Sequence, residues 1–454
     1  NVVIRNPAIE ECGYILAKVR DEEARKKFFV QQQFSSELYL PNGSMIGLGL
    51  AADNPYSIEG GRQKMGGIHE AAGVFLVRSE GHAAWQGRSP PSVTEVAQFY
   101  KRLAEASQGK PVFIRTVDRQ KDKKFELYSE FPWDDAHTGF NFYRTSLGRA
   151  LVIIQLEALL MTHQAYPHVG ILFPMVSNIE DIQYVADLIY QAQQNLMQQG
   201  ILPEDFNIVE GAIRLMVENM SALDNIQDIL GLADINVGTN DLIKSVLGFD
   251  RDDPSIGEKL KGIHPSVAKR IVGIFQESRQ YQRTVCICGS LASEKNLWAA
   301  VVGIASLLSG LKISLSIPFA RLPEAKYFIH QIAKIVLQQG VAESFQKLSI
   351  YSRTLPAQLD LNRDAANLIK AIESQIEENP EFLEIKEDVG EDFLERFNLR
   401  RPNANHQKTS SPLSHSSSPL DDPVKDQINE LNRLLRERML VRYATVETIV
   451  ARDV

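Results

Sequence analysis

Glu218 and Asp241 are two carboxylates that each follow an apolar run, LMVE (215–218) and INVGTND (235–241). Hard divalent ions such as Mg2+ take one or two protein carboxylates and fill their remaining positions with substrate oxygens and water, so this pair could hold one metal. A strand-end carboxylate paired with a helix or an arginine is the commoner arrangement, and spacing alone does not separate the two. Arg115, Arg144 and Arg251 supply planar, permanently charged donors that match phosphate or carboxylate in two-point contacts. Surface ion pairs account for most single arginines, but Arg115 directly ends the apolar run PVFIR (111–115). Cys288 closes another run, TVCIC (284–288), beside Gly289. A free cysteine is commonly a small buried hydrophobe, and Cys286, two residues earlier, would share its strand face. His69, His137, His163, His168 and His264 have no base, carboxylate or ligand spacing around them and read as structural. The glycine-rich GGRQKMGGIHEAAG (60–73) lacks both the lysine-hydroxyl ending of a P-loop and the strand-to-helix setting of a dinucleotide fingerprint.

These groups need elements to bring them together. Apolar, β-branched runs recur at 45–50, 73–77, 111–115, 170–176, 212–218, 233–238 and 284–289, with a less clear one inside 303–317. Strands covered by helices on both faces have this composition. Amphipathic segments lie between them, at 92–107, 179–199 and 265–280. Strand and helix alternate about eight times, over about the length of a (β/α)8 TIM barrel. An open doubly wound sheet is the competing architecture. The barrel is favoured because nearly every run ends in a polar or reactive group: Arg78-Ser79-Glu80, Arg115-Thr116, Glu218, Asn240-Asp241 and Cys288-Gly289-Ser290. In a barrel the C-terminal ends of all strands meet at one mouth.

The chain has 454 residues, 44% of them hydrophobic and 23% charged, enough for a substantial core. A formal net charge of -8 argues against a nucleic-acid backbone as partner. Three cysteines form neither a disulfide framework nor a CxxC pair, which suits a reducing compartment, so the cytoplasm is expected. No apolar run is long enough to span a bilayer, and NVVIRNPAIE lacks the plan of a signal peptide. It also lacks an initiator Met, and a fragment is expected. Five regions follow: 1–40 with a charged linker helix, a barrel at 41–340, a helical extension at 341–402, a Ser/Pro-rich linker at 403–424, and an amphipathic helix at 425–454.

Taken in order, the strand ends carry a recognisable series. AAGVFLVRSE (71–80) matches L-x-R-T-E, FIRTVDRQKDKK (113–124) matches I-R-T-x-D-x-x-x-D-K, and QLEALL (155–160) follows. ILFPMVSNIEDI (171–182) matches M-x-P-M-V, LMVE (215–218) matches G-x-M-I-E, and INVGTNDLIKSVLGFDRDD (235–253) matches S-I-G-T-N-D-L with its D-R. HPSV (264–267), CGSLAS (288–293) and LSIPFARLPEAK (315–326) complete the set. The series resembles the phosphoenolpyruvate-binding barrel shared by enzyme I of the bacterial sugar phosphotransferase system, its nitrogen-related paralogue, phosphoenolpyruvate synthase and pyruvate phosphate dikinase.

The resemblance implies roles. Arg115 and Arg251 would grip the phosphate and carboxylate of phosphoenolpyruvate, with Arg144 as a further substrate arginine and Arg149 as its alternative. Asn240 would hydrogen-bond the phosphate, Glu218 and Asp241 would hold Mg2+, and Cys288 would be the general acid that turns enolpyruvate into pyruvate. It further implies a homodimer and an upstream swivelling domain with a phosphohistidine, absent from this chain, that passes phosphate to a histidine phosphocarrier protein. VVIRNPAIE resembles the end of that upstream domain. Departures are visible: Ser290 stands where Glu is usual, Asn219-Met220 where Pro is expected, Lys244 for Gln, and Phe140-Asn141-Phe142-Tyr143 for an Asn-Pro-x-Leu-Gly lead-in. The alternatives are a drifted regulatory module that binds phosphoenolpyruvate or pyruvate, and a fragment of a synthase or dikinase.

Overall fold

The computed structural model describes residues 34–61, 67–80, 90–119, 138–248 and 264–339. The linker helix before residue 34, the helical extension, the Ser/Pro-rich linker and the C-terminal amphipathic helix lie outside the described residues, as do His137 and Arg251.

The apolar runs form the strands of one sheet. After a short β1 (Glu37–Tyr39) come β2 (Met45–Ala52), β3 (Val74–Arg78), β4 (Val112–Arg115), β5 (Val169–Phe173), β6 (Ile213–Val217), β7 (Asp234–Gly238), β8 (Thr284–Cys288) and β9 (Lys312–Pro318). From β2 onward each strand pairs parallel to the next, and β9 pairs parallel with β2 from Met45↔Lys312 to Ala51↔Pro318. Strands β2 to β9 therefore form a closed eight-stranded barrel. Strand β1 folds back antiparallel on β2 through the Asn42-Gly43 turn, where Gly43 takes φ +82°. Asn42 then donates to the carbonyls of Ala305 and Ser306.

Helices α1 (Pro55–Ile58), α2 (Val93–Ala106), α3 (Ser146–Ala165), α4 (Ile179–Gln198), α5 (Met220–Asp224), α6 (Ile226–Leu232), α7 (Thr239–Leu247), α8 (Pro265–Gln280), α9 (Lys295–Leu307) and α10 (Leu322–Gln339) follow the strands. Their starts are written locally: Ser92 and Glu95 form a capping box on α2, and Asn178 accepts from the Asp181 N–H on α4. The indistinct run at 303–317 divides into the end of α9 and strand β9, with Gly310 at φ +74° between them. Helix α3 is one that the amphipathic pattern conceals. It is buried on several sides, from Leu151 and Val152 to Gln155, Leu159 and Thr162, so its apolar positions do not form one stripe.

Two apolar regions result. The larger lies between strands and helices, and a smaller one joins Phe75, Leu76, Phe113, Leu172, Met216, Cys286 and Cys288. Those residues come from β3, β4, β5, β6 and β8 and can meet only in the barrel interior. Near the opposite end of β6 from Glu218, buried Arg214 lies over the Phe113 ring at 3.8 Å from its centroid. Its nearest carboxylate contact is Asp234 at 3.8 Å, and its Nε and Nη1 have no hydrogen-bond partner among the described residues. Burial pulls the Arg214 guanidinium below its ordinary pKa, against the opposing effects of Cys286 and Asp234.

Candidate active site

The polar strand ends converge at the C-terminal mouth, as a parallel barrel requires. Arg115 ends β4 in register with Arg78 on β3 and Leu172 on β5. It is 5% exposed, with Nη2 2.6 Å from Glu80 Oε1 and Nη1 3.1 Å from Asp118 Oδ2. Burial opposes its charge, but Glu80, Asp118 and Glu218 outweigh that and raise its pKa above the ordinary value. Its Nε has no partner among the described residues. The segment leaving β4 is fixed from behind by buried Gln155 of α3. That amide accepts from the Val117 N–H at 2.7 Å and donates to Tyr100 Oη at 2.7 Å and Ser79 Oγ at 3.1 Å. Ser79 donates to the Arg115 carbonyl, and Tyr143 Oη donates to the Val117 carbonyl.

Glu218 follows β6 and is 2% exposed. Its Oε2 accepts from the Met175 N–H at 3.0 Å, and Met175 holds a left-handed φ of +57°, a conformation costly for a non-glycine residue. Gly238, at the end of β7, leaves space for this carboxyl, because a Cβ there would strike it. Burial, then Asp118 and Asp241, push the Glu218 pKa up to about 8, against Arg115 and the Met175 N–H. Asp241 lies in the first turn of α7, with Lys244 Nζ 3.4 Å from its Oδ1. Lys244 therefore supplies a local countercharge to that carboxylate. Among the described residues, no group of three or more His, Cys, Asp and Glu forms a metal cluster. The donors that are present suit a hard ion that keeps most of its own water: the carboxyls of Glu80, Asp118, Glu218 and Asp241 face two cations, Arg115 and Lys244.

Strands β7 and β8 are joined just beyond their ends. Thr239 Oγ1 donates to the Cys288 carbonyl at 2.8 Å, and Asn240 Oδ1 accepts from Ser290 N–H at 2.9 Å and Ser290 Oγ at 2.7 Å. Cys288 is 1% exposed, and its thiol lies 3.3 Å from the Val237 carbonyl. Burial, then Cys286 and Glu218, hold that thiol well above its ordinary pKa, so it is neutral.

Arg144 is paired elsewhere. Its Nη2 lies 2.7 Å from Asp181 Oδ1, and its guanidinium stacks over Tyr184 at 4.9 Å. Arg149 bonds Tyr184 Oη and Gln191 Oε1, so neither arginine has a direct contact with Arg115, Glu218 or Cys288. His163 bonds the Val169 carbonyl and the Val209 N–H, and His168 contacts the Ala104 carbonyl, as structural histidines do. Glu80 and Asp118 were not assigned from the sequence, although each stands within a strand-end motif. Gln155 opens the QLEALL motif, but its role was not assigned from the sequence, since its partners lie on three segments remote from it.

The model of the PEP-utilising enzyme, PEP-binding domain, matches residues 32–334. The phosphoenolpyruvate-protein phosphotransferase of Buchnera aphidicola subsp. Acyrthosiphon pisum is 28% identical over 282 residues, covering 62% of this chain and 45% of that one. That of Haemophilus influenzae is 30% identical over 239 residues, covering 52% and 40%. The multiphosphoryl transfer protein of Xanthomonas campestris pv. campestris is 29% identical over 280 residues, covering 61% and 31%. The chain spans less than half the length of these curated relatives. With every strand of its barrel inside the matched segment, the chain belongs to the family of PEP-utilising enzymes, as their PEP-binding domain.

Proposed function

We propose that this barrel binds phosphoenolpyruvate and converts it to pyruvate, as the substrate-binding part of a phosphoenolpyruvate-protein phosphotransferase. The observation that carries the reading is the buried Arg115, held charged between Glu80 and Asp118 and within electrostatic reach of the neutral Cys288 thiol. Arg115 supplies the positive charge for an anion in this reading, with a buried Nε–H that has no partner among the described residues, and Asn240 supplies its amide N–H groups. Arg251 is the second phosphate and carboxylate donor in this reading. Arg144 enters only by leaving Asp181, which makes it a rim residue.

The reaction needs negative charge stabilised where it develops. A histidine nitrogen, contributed from outside the barrel, attacks phosphorus, and the bond from phosphorus to the enol oxygen breaks with its electron pair left on enolpyruvate. The Cys288 thiol then donates its proton to the methylene carbon, giving pyruvate, and solvent reprotonates the thiolate. A thiol with a raised pKa keeps its proton until this step. Glu218 and Asp241 are the residues that would hold Mg2+. When bound, the ion would supply positive charge to the phosphoryl oxygens. Acceptance of the phosphoryl group by a histidine phosphocarrier protein, a homodimeric assembly and a cytoplasmic location are part of the same proposal. The names of the relatives support a protein as phosphoryl acceptor. The free, buried thiols of Cys286 and Cys288 are in keeping with a reducing compartment. No helix among the described residues is long and apolar enough to cross a membrane.

Titration calorimetry tests the reading. Phosphoenolpyruvate is expected to bind in the presence of Mg2+ and much more weakly without it, and Arg115→Ala should weaken binding about ten- to a hundredfold, the loss of a charge-assisted contact with the anion. Wild-type protein that binds no phosphoenolpyruvate with Mg2+ would sink the proposal.

A further inference from the structure

We infer that Ser290 is a positioning residue: its two donors set the orientation of the Asn240 carboxamide, and that orientation turns the amide nitrogen into an anion donor. The inference rests on the proposed function of the same mouth.

A carboxamide has an acceptor end and a donor end of nearly equal shape, so its orientation is decided by its neighbours. Ser290 settles it. Its backbone N–H, which can only donate, lies 2.9 Å from Asn240 Oδ1, and its hydroxyl lies 2.7 Å from the same oxygen. The reverse orientation would set the Asn240 NH2 against an N–H, losing a hydrogen bond and opposing two donors. Oδ1 therefore faces the end of β8, and both Nδ2 hydrogens have no partner among the described residues.

The approach of the two loops has its own requirement. Gly289 takes φ +94°, and a Cβ there would lie 2.5 Å from Thr239 Oγ1 and 3.0 Å from Asn240 Oδ1. Only glycine permits both the backbone conformation and the contact. Thr239, the residue before the amide, is bonded in turn to the carbonyl of Cys288. The loop that carries the thiol thus also sets the donor of the neighbouring strand. A shift of one displaces the other, so proton donor and anion donor keep their mutual placement.

Two measurements on the full chain test this. The first is calorimetric affinity for phosphoenolpyruvate with Mg2+: Ser290→Ala, which keeps only the backbone donor, should weaken binding about five- to tenfold, the loss of one hydrogen bond, while Ser290→Thr stays within about twofold of wild type. The second is the NMR signal of the Asn240 side-chain amide in protein labelled at asparagine. It should be ordered in the wild type and mobile in Ser290→Ala, with unchanged thermal midpoints. Equal affinities of wild type and Ser290→Ala, where the wild type binds, would overturn the inference, as would an amide already mobile in the wild type. A wild type that binds nothing removes the proposed function instead, and the order of the amide still decides whether Ser290 orients it.

Discussion

Glu218 is the residue whose surroundings depart furthest from those of an ordinary carboxyl. It is enclosed by β6, β7 and the Met175 turn, and Asp118 and Asp241 both act against its ionisation. In chelating buffer the folded protein keeps the Glu218 proton up to about pH 8, whereas the unfolded chain releases it near the ordinary 4.5. Between these values only the unfolded state is stabilised by deprotonation. The contribution of this group to stability is thus complete below pH 4.5 and lost as pH rises toward 8. Glu218→Gln has no proton to release, so its unfolding free energy should gain on that of the wild type between pH 5 and pH 8, by an amount on the order of a few kcal/mol, read as a widening gap between their thermal midpoints. A difference that stays constant over that range would show Glu218 to be ionised in the folded protein. Lys244, a departure that spacing left unexplained, now has a physical role beside Asp241. At 3.4 Å and partly exposed, that pair contributes no more than about 1 kcal/mol.

At the scale of elements, helix α3 does more than cover the barrel. Through Gln155 it holds the segment that leaves β4, and with it the backbone that carries Arg115. Gln155→Leu would strand the Val117 N–H and remove a partner from the buried hydroxyls of Tyr100 and Ser79. Each buried polar group left without a partner costs about 1–3 kcal/mol. Urea denaturation should therefore show a loss of about 3 kcal/mol or more. A loss under about 1 kcal/mol would mean that Tyr143 and Thr116 suffice to hold the strand end. The same helix shows why pattern reading has a limit. Helices α2, α4 and α8 carry one apolar stripe and were legible; α3 is apolar on several sides, and its buried glutamine looks like an interruption until Tyr100 and Ser79 are seen beside it.

At the largest scale, the described residues form a closed barrel with a charged mouth and a cation deep inside it. Arg214 is buried with two donors unpaired and only a long contact to Asp234, so its charge is poorly compensated. Replacing such a group by an apolar side chain of similar size is often neutral or stabilising. Arg214→Met is expected to unfold within about 1 kcal/mol of the wild type or above it, whereas Arg214→Ala should lose about 2–4 kcal/mol through the cavity left beside Phe113. Chemical denaturation of both variants checks this. A Met variant destabilised by more than about 3 kcal/mol would show that the guanidinium is itself required to hold the barrel interior.

The sequence by itself determined the order of strands and helices, the closed barrel they form, and the family, because doubly covered strands and polar strand ends are local patterns that recur in a fixed order. It also singled out Arg115, Glu218, Asn240, Asp241 and Cys288 as strand-end chemistry. Only the tertiary structure decided the partners. Glu80 and Arg115 are 35 residues apart and Asn240 and Ser290 are 50 apart, yet each pair is in hydrogen-bond contact because neighbouring strands deliver their ends to one rim. The resemblance makes Arg144 a substrate arginine, and only the fold shows Asp181 and Tyr184 beside it. A residue type announces what chemistry is available; which charge or donor stands next to it depends on contacts far apart in the chain.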